Sequence, residues 1–206
     1  MIIMGNYLGV NCEFGKMTKE TISSCQDFVC SKDADIHSFF HGEFEDYSFQ
    51  LLGKSYCFTT KRDNRMVAAF TVANSSIRVD NMPKSKRNKL NRRIPFSKQR
   101  SQYPAVLVGQ LVVFDEFQGL EIGQEMMDFI KAWFIDPLNK TGCRYIIVDA
   151  VNKEKVLQFY VNNGFDFIFA SDEEELQYMS KEENVTNGEL FKETRLMYFD
   201  LMRLAN

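Results

Sequence analysis

The chain has 206 residues, 45% apolar and 14% aromatic with nineteen Phe, enough for one sizeable core and too compact a composition for a collagen, a peptide hormone or a multidomain assembly. Its net charge of -3 points by itself to neither a nucleic-acid binder nor an acidic tail. No run reaches the roughly 18 to 20 apolar residues that span a bilayer, and the start Met1 to Asn6 lacks the layout of a signal peptide, so a soluble, cytoplasmic protein with no membrane partner is expected.

In chain order, a short apolar opening (Ile2, Ile3, Met4) precedes Met17 to Cys30, which can be helical behind a Thr cap. Between Asp33 and Leu52, Ile36, Phe39, Phe40, Phe44, Tyr47 and Leu51 recur at three- and four-residue steps, with Gly53 just beyond, which predicts a helix. Ser55 to Thr60 and Met66 to Asn74 flank Arg62, Asp63 and Asn64 and read as a hairpin. Residues 81–102 hold Pro83, Pro95 and many polar side chains and read as loop. Ala105 to Phe114 is a buried strand, Ile122 to Phe134 one face of a helix, and Arg144 to Ala150 a second buried strand. Asn152 is placed to cap a helix carrying Val156, Leu157 and Tyr160 and ending at Gly164. Phe165 to Phe169 and Leu196 to Leu201 close the chain as strands, joined by an acidic excursion over 171–193. This order predicts a βαβ core in a mixed sheet.

The chemistry concentrates at residues 106–123. A strand runs into a loop with Gly119 and Gly123, and a helix begins at once; its first amides lack intrahelical partners and carry partial positive charge, which suits a phosphate. No Gly-Lys-Ser/Thr follows, so this is not a Walker loop, and the third glycine of a dinucleotide fingerprint is missing. The second feature is Asn152 followed by Phe159-Tyr160 and Gly164-Phe165.

Together these stretches resemble the GNAT superfamily of acyl-CoA-dependent N-acetyltransferases. The family's Gln/Arg-x-x-Gly-x-Gly/Ala loop is matched by Gln118-Gly119-Leu120-Glu121-Ile122-Gly123 except at Glu121, and its Asn…Phe-Tyr-x-x-x-Gly-Phe pattern is matched in full. The resemblance covers roughly residues 55–202 and implies an α/β (α+β) fold: a GNAT-like mixed sheet of about six to seven strands flanked by helices. It implies a single domain over 1–206, with a basic loop insertion at 81–102 and the acidic excursion at 171–193.

The resemblance further implies acetyl-CoA as acyl-donor substrate and no metal. Its pantetheine would pair with the backbone of Leu111, Val112 and Val113, and its pyrophosphate would sit on the amides of Gln118, Gly119, Leu120, Glu121, Ile122, Gly123 and Gln124. Asn152 would lie beside the pantetheine, and Tyr160 would act as general acid at the thioester sulfur. An amine acceptor would attack the thioester directly, since a phenol with a reference pKa of about 10 stays protonated to serve the leaving thiolate. The carboxylate of Glu121 would repel the pyrophosphate, and a non-glycine residue resists positive φ there, unless only its amide faces the ligand. Gln110 is the one polar side chain between Val106 and Phe114, so this strand offers no general base.

The net charge conceals an asymmetry. Lys84, Lys86, Arg87, Lys89, Arg92, Arg93, Lys98 and Arg100 occur with no acid among them; removing these eight leaves 17 bases facing 28 acids, so the segment carries +8 and the remainder -11. A solvated loop explains such a run, and so does a phosphate-tracking loop, because clustered bases gain affinity from counterion release. The layout is similar to GNAT enzymes of bacterial toxin-antitoxin pairs that acetylate aminoacyl-tRNA, so Lys84 to Arg100 implies tRNA as a partner, and a homodimer is compatible. The rival reading is a noncatalytic RNA-binding module on a degenerate acyl-CoA fold.

The remaining candidates have simpler readings. Cys12, Cys25, Cys30, Cys57 and Cys143 form no CxxC and read as reduced thiols. His37 and His41 stand four apart with Ser38 where a zincin has Glu, and read as a solvent-facing pair. Asp172 to Glu175 suits the first turn of a helix without any ligand.

Overall fold

The computed structural model describes residues 6–26, 28–80, 82–92, 94–96, 100–139, 141–183 and 193–205. Its strands are β1 (Cys12–Lys16), β2 (Lys54–Thr60), β3 (Met66–Arg78), β4 (Gln102–Val113), β5 (Tyr145–Val151), β6 (Asp166–Phe167) and β7 (Thr194–Asp200). Hydrogen bonding orders them β1-β2-β3-β4-β5-β7-β6. β4 and β5 are parallel, while β1, β2 and β3 pair antiparallel, as do β5 and β6 with β7, so the sheet is mixed. Its helices are α1 (Asn6–Asn11), α2 (Lys19–Ser24), α3 (Ala34–Ser38), α4 (Phe44–Phe49), α5 (Lys84–Asn91), α6 (Ile122–Ile135), α7 (Glu154–Asn162) and α8 (Asp172–Glu183).

The chain gathers into two compact units, 1–73 with 108–140 and 74–107 with 141–206. Two of the three boundaries fall inside strands, β3 and β4, and the third between α6 and β5.

The first unit is built on rings. Phe14 of β1 lies 5.1 Å from Phe58, 4.5 Å from Phe129 and 5.3 Å from Trp133, so one inward side chain stitches the edge strand to α6. Sequence reading misses β1, because Glu13, Gly15 and Lys16 around Phe14 are exposed and leave no apolar run. A second cluster joins Phe28, Phe39, Phe40, Phe44, Val112 and Phe114. The expected helix over 33–52 is α3 and α4 joined by a π turn, Phe39–Glu43, which lets Phe39, Phe40 and Phe44 all turn inward. The expected helix near Met17 shrinks to α2, capped by the Thr18 hydroxyl, which accepts from the Thr21 amide at 3.2 Å. The apolar opening at Ile2, Ile3 and Met4 lies outside the described residues.

The second unit is built on tyrosines and ion pairs. Tyr103, Tyr145, Tyr178 and Tyr198 share one core with Leu90 and Phe169. The segment read as a loop contains α5, because Leu90 is buried and the rest of the helix needs no apolar face. Two hydroxyls hold its last turn: Tyr145 donates to the Leu90 carbonyl at 3.0 Å and Tyr103 to Asn91 Oδ1 at 2.6 Å. Asn152 does not cap α7; Lys153 occupies that position with no side-chain cap, and the Asn152 amide donates to Asp172 Oδ2 at 2.9 Å. The expected strand at 165–169 is the two-residue β6.

Candidate active site

In the first unit the candidate donor loop begins on β4. The parallel ladder to β5 runs from Ala105↔Tyr145 to Leu107↔Ile147. Further along, Gly109 passes so close to β3 that an added Cβ would stand 2.5 Å from the Thr71 hydroxyl, which accepts from the Gln110 amide at 2.9 Å. Leu111 and Val113 are half-buried and Val112 is buried.

A short 3₁₀ turn at Asp115–Phe117 leads into the loop. Gln118 folds back over it, its Nε2 donating to the Val113 carbonyl at 3.1 Å and to Asp115 Oδ1 at 3.0 Å. Gly119 takes φ +84 and Glu121 φ +59, and α6 starts at Ile122. Thus Glu121 does adopt the left-handed conformation that glycine favours, and its carbonyl already accepts from the Gln124 and Glu125 amides. Between them, the amides of Gly119, Leu120, Glu121, Ile122 and Gly123 have no acceptor among the described residues. Five consecutive amides at a helix start can bind an oxyanion by backbone alone. Gln124 donates through Nε2 to Asp128 Oδ2 at 3.2 Å. Lys32 reaches the same loop, donating to Gln118 Oε1; it lies 86 residues upstream in a segment with no motif, so sequence reading had no signal for it.

Tyr160 belongs to the second unit. Its ring is buried between Phe159 at 5.2 Å and Phe165 at 5.5 Å, and its hydroxyl has no hydrogen-bond partner among the described residues. Burial pushes the phenol up to about 12. It is therefore a neutral donor throughout the physiological range. Asn152 belongs to the same unit, with its amide committed to Asp172 and its backbone N–H to the Glu193 carbonyl at 2.7 Å.

The acidic excursion also hides a network. Glu175 is fully buried; its carboxylate accepts from Arg195 Nε and from the Leu196 amide, both at 2.9 Å. Arg195 also pairs with Asp172 at 2.5 Å and donates to the Phe169 carbonyl at 3.1 Å. Asp172 to Glu175 do form the first turn of α8, and two of these acids also clamp Arg195, which an isolated acidic run cannot reveal.

The basic segment divides. Lys86 pairs with Glu174 at 3.8 Å and Lys89 with Asp166 at 3.7 Å, whereas Lys84, Arg87, Arg92 and Arg100 form no ion pair among the described residues. Arg93 and Lys98 lie outside the described residues.

The other candidates stay structural. His37 and His41 stack at 3.9 Å, and His37 Nδ1 accepts from the Cys30 amide, so the pair is only partly solvent-facing. No group of metal-ligating side chains occurs among the described residues. All five cysteines are free, and burial pushes Cys12 and Cys143 up to about 11 and Cys57 to about 12, far from reactive thiolates. No helix among the described residues is long and apolar enough to cross a membrane.

No known family profile matches the chain. A tRNA-acetylating toxin of Mycobacterium tuberculosis is 27% identical over 163 residues, covering 75% of this chain and 92% of that protein. Among solved structures, a Tyr-to-Phe mutant of KacT superposes with a TM-score of 0.64 at 15% identity, covering 95% of this chain and 98% of that one. AtaT complexed with acetyl-methionyl-tRNAfMet gives 0.63 at 15% identity, with the same coverages.

The chain has a GNAT-like fold, a seven-stranded mixed sheet flanked by helices. A third solved structure, AtaTR bound with acetyl-CoA, shares this fold at a TM-score of 0.60 and 16% identity, covering 95% of this chain and 96% of that one. The Gln118 to Gly123 stretch stands at the turn into α6, and Tyr160 stands on α7.

Proposed function

We propose that this protein moves the acetyl group of acetyl-CoA to the α-amine of an aminoacyl-tRNA. The observation that carries the acceptor is α5 with its flank: four bases without ion-pair partners among the described residues, two on a helix anchored by its last turn and two beyond its end. The kinship with a tRNA-acetylating protein and with AtaT in its tRNA complex supports the same acceptor. Neighbours solved with an antitoxin suggest an antitoxin partner here too. Five free, mostly buried cysteines suit a reducing cytoplasm.

Each proposed role follows from local chemistry. The amides of Gly119 to Gly123 take the pyrophosphate, and the backbone of Leu111 to Val113 takes the pantetheine as an added strand. The neutral amine attacks the thioester carbonyl, and backbone N–H near Val113 stabilises the oxyanion. Collapse of the tetrahedral adduct expels the thiolate, to which Tyr160 donates. Burial keeps the Tyr160 phenol protonated, so its O–H is available to the sulfur as charge develops there. With no acid on β4, the amine loses its proton to water. Asn152 stands at the entry to α7 with its side-chain amide held by Asp172.

The test is to mix the protein with acetyl-CoA and charged or uncharged tRNA and follow free thiol. Release with charged tRNA alone is expected, falling about 10²- to 10⁴-fold in Tyr160→Phe. In Arg87→Ala/Arg92→Ala, tRNA affinity should weaken and the dependence of log affinity on log salt should flatten by about one per lost contact. Tight tRNA binding with no thiol from any amine would instead favour a noncatalytic RNA-binding module.

A further inference from the structure

The donor loop is crowded with negative charge. Asp115, Glu116, Glu121, Glu125 and Asp128 succeed one another with no base before Lys131. A diphosphate brought to such a stretch is repelled unless the acids are neutralised or a cation is supplied.

Most of those acids are already committed. Asp115 accepts from the Ser31 amide and from Gln118 Nε2, each at 3.0 Å. Glu116 pairs with Arg65, whose guanidinium also lies 5.1 Å over the Phe117 ring. Glu125 accepts from the Tyr7 amide at 3.1 Å and the Leu8 amide at 2.8 Å. Glu121, exposed at the loop's tip, has no side-chain partner among the described residues.

The cations divide the same way. Arg65 is spent on Glu116, whereas Lys32 is exposed, forms no ion pair among the described residues, and donates to the neutral Gln118 Oε1. Its segment is fastened to the loop's entrance: the Asp115 amide donates to the Val29 carbonyl at 3.0 Å, beside the Ser31 bond. An ammonium carries three donors, so two remain after Gln118.

We infer that Lys32 is the cation of the donor site, binding the diphosphate of acyl-CoA and offsetting Glu121. The inference rests on the acetyl-CoA reading of this loop. Gln118 then does more than brace the turn, because it also holds the ammonium where the free amides of Gly119 to Gly123 begin. A lysine suits this place because it acts on phosphate as a movable point charge.

Two donors separate this role from mere loop support: acetyl-CoA, and S-acetyl-pantetheine, which lacks the diphosphate. Lys32→Ala should raise KM for acetyl-CoA and Kd for CoA about tenfold, with KM for S-acetyl-pantetheine unchanged, and Lys32→Arg should retain most of the affinity. An equal rise with both donors, no change with either, or weakened tRNA binding at unchanged CoA affinity would overturn it. If the native protein binds CoA yet releases no thiol with any amine, the acetyl-transfer reading falls while the CoA titration still decides Lys32. If it binds no CoA, both fall.

Discussion

The two compact units solve the same problem, a stable core behind a functional loop, with different chemistry. In the first, Phe14, Phe58 and Phe129 fill space with rings that ask for no hydrogen bond. In the second, Tyr103, Tyr145 and Tyr178 each send a hydroxyl to a named partner, and a buried glutamate and arginine pair behind them. The difference follows from what each unit must hold. The α6 helix brings its own apolar face, with Met126, Met127 and Ile130 fully buried, whereas α5 brings Leu90 alone. A helix whose one buried side chain is Leu90 has little apolar area to retain it, so the second unit retains it with directed hydrogen bonds.

The contrast breaks most sharply at Glu175. Glu175→Ala leaves Arg195 buried beside a missing partner, and urea unfolding should show a loss of about 3 to 5 kcal/mol. The result that would blur the comparison is a loss below about 1 kcal/mol, the range of an exposed pair. Tyr145→Phe removes one hydroxyl and strands the Leu90 carbonyl, for an expected loss of about 1 to 3 kcal/mol and a matching drop in the protection of the α5 amides from hydrogen exchange. Were protection in α5 unchanged, the hydroxyl would not be what holds that helix.

In the first unit, Glu121→Gly should stabilise by about 1 kcal/mol, since a left-handed residue with a Cβ is strained. If the carboxylate also repels the diphosphate, CoA affinity rises at low salt; unchanged affinity would make the side chain a bystander. The smallest effect is alkaline. Burial raises Tyr145 and Tyr198 from the ordinary 10 to about 12, and Cys57 from 9 to about 12. In each the folded state holds its proton more tightly, so the contribution is whole below the unfolded value and is lost as pH rises towards the folded one. The contributions of Cys57 and Cys143 should therefore begin to fade near their ordinary value of 9, and those of Tyr145 and Tyr198 near 10. Thiol labelling of Cys57 set against tyrosinate absorbance would show the order, and simultaneous onset would remove the distinction.

Much of the fold was legible because its inner elements carry strong periodicity. The hairpin β2–β3, the strands β4 and β5, and the helices α6 and α7 stand within a few residues of where their apolar patterns place them. What escaped did so for physical reasons. β1 buries little besides Cys12 and Phe14, and α5 rests on a single leucine, so neither writes a repeat into the sequence. The phosphate loop was legible as a motif, and its left-handed Glu121 was anticipated as a strain. Lys32 and the Glu175–Arg195 pair were not, because each joins residues far apart in the chain and depends on folding to meet.

The bases of α5 also act on one another. Lys84 with Arg87, and Lys86 with Lys89, stand three apart on one helix, and Lys84 and Lys86 crowd its positive end, so the helix repels itself and opposes its own dipole. Cut free, residues 83–92 would be coil. Within the protein, added salt should screen the repulsion between Lys84 and Arg87 while loosening the ion pairs that tie Lys86 to Glu174 and Lys89 to Asp166.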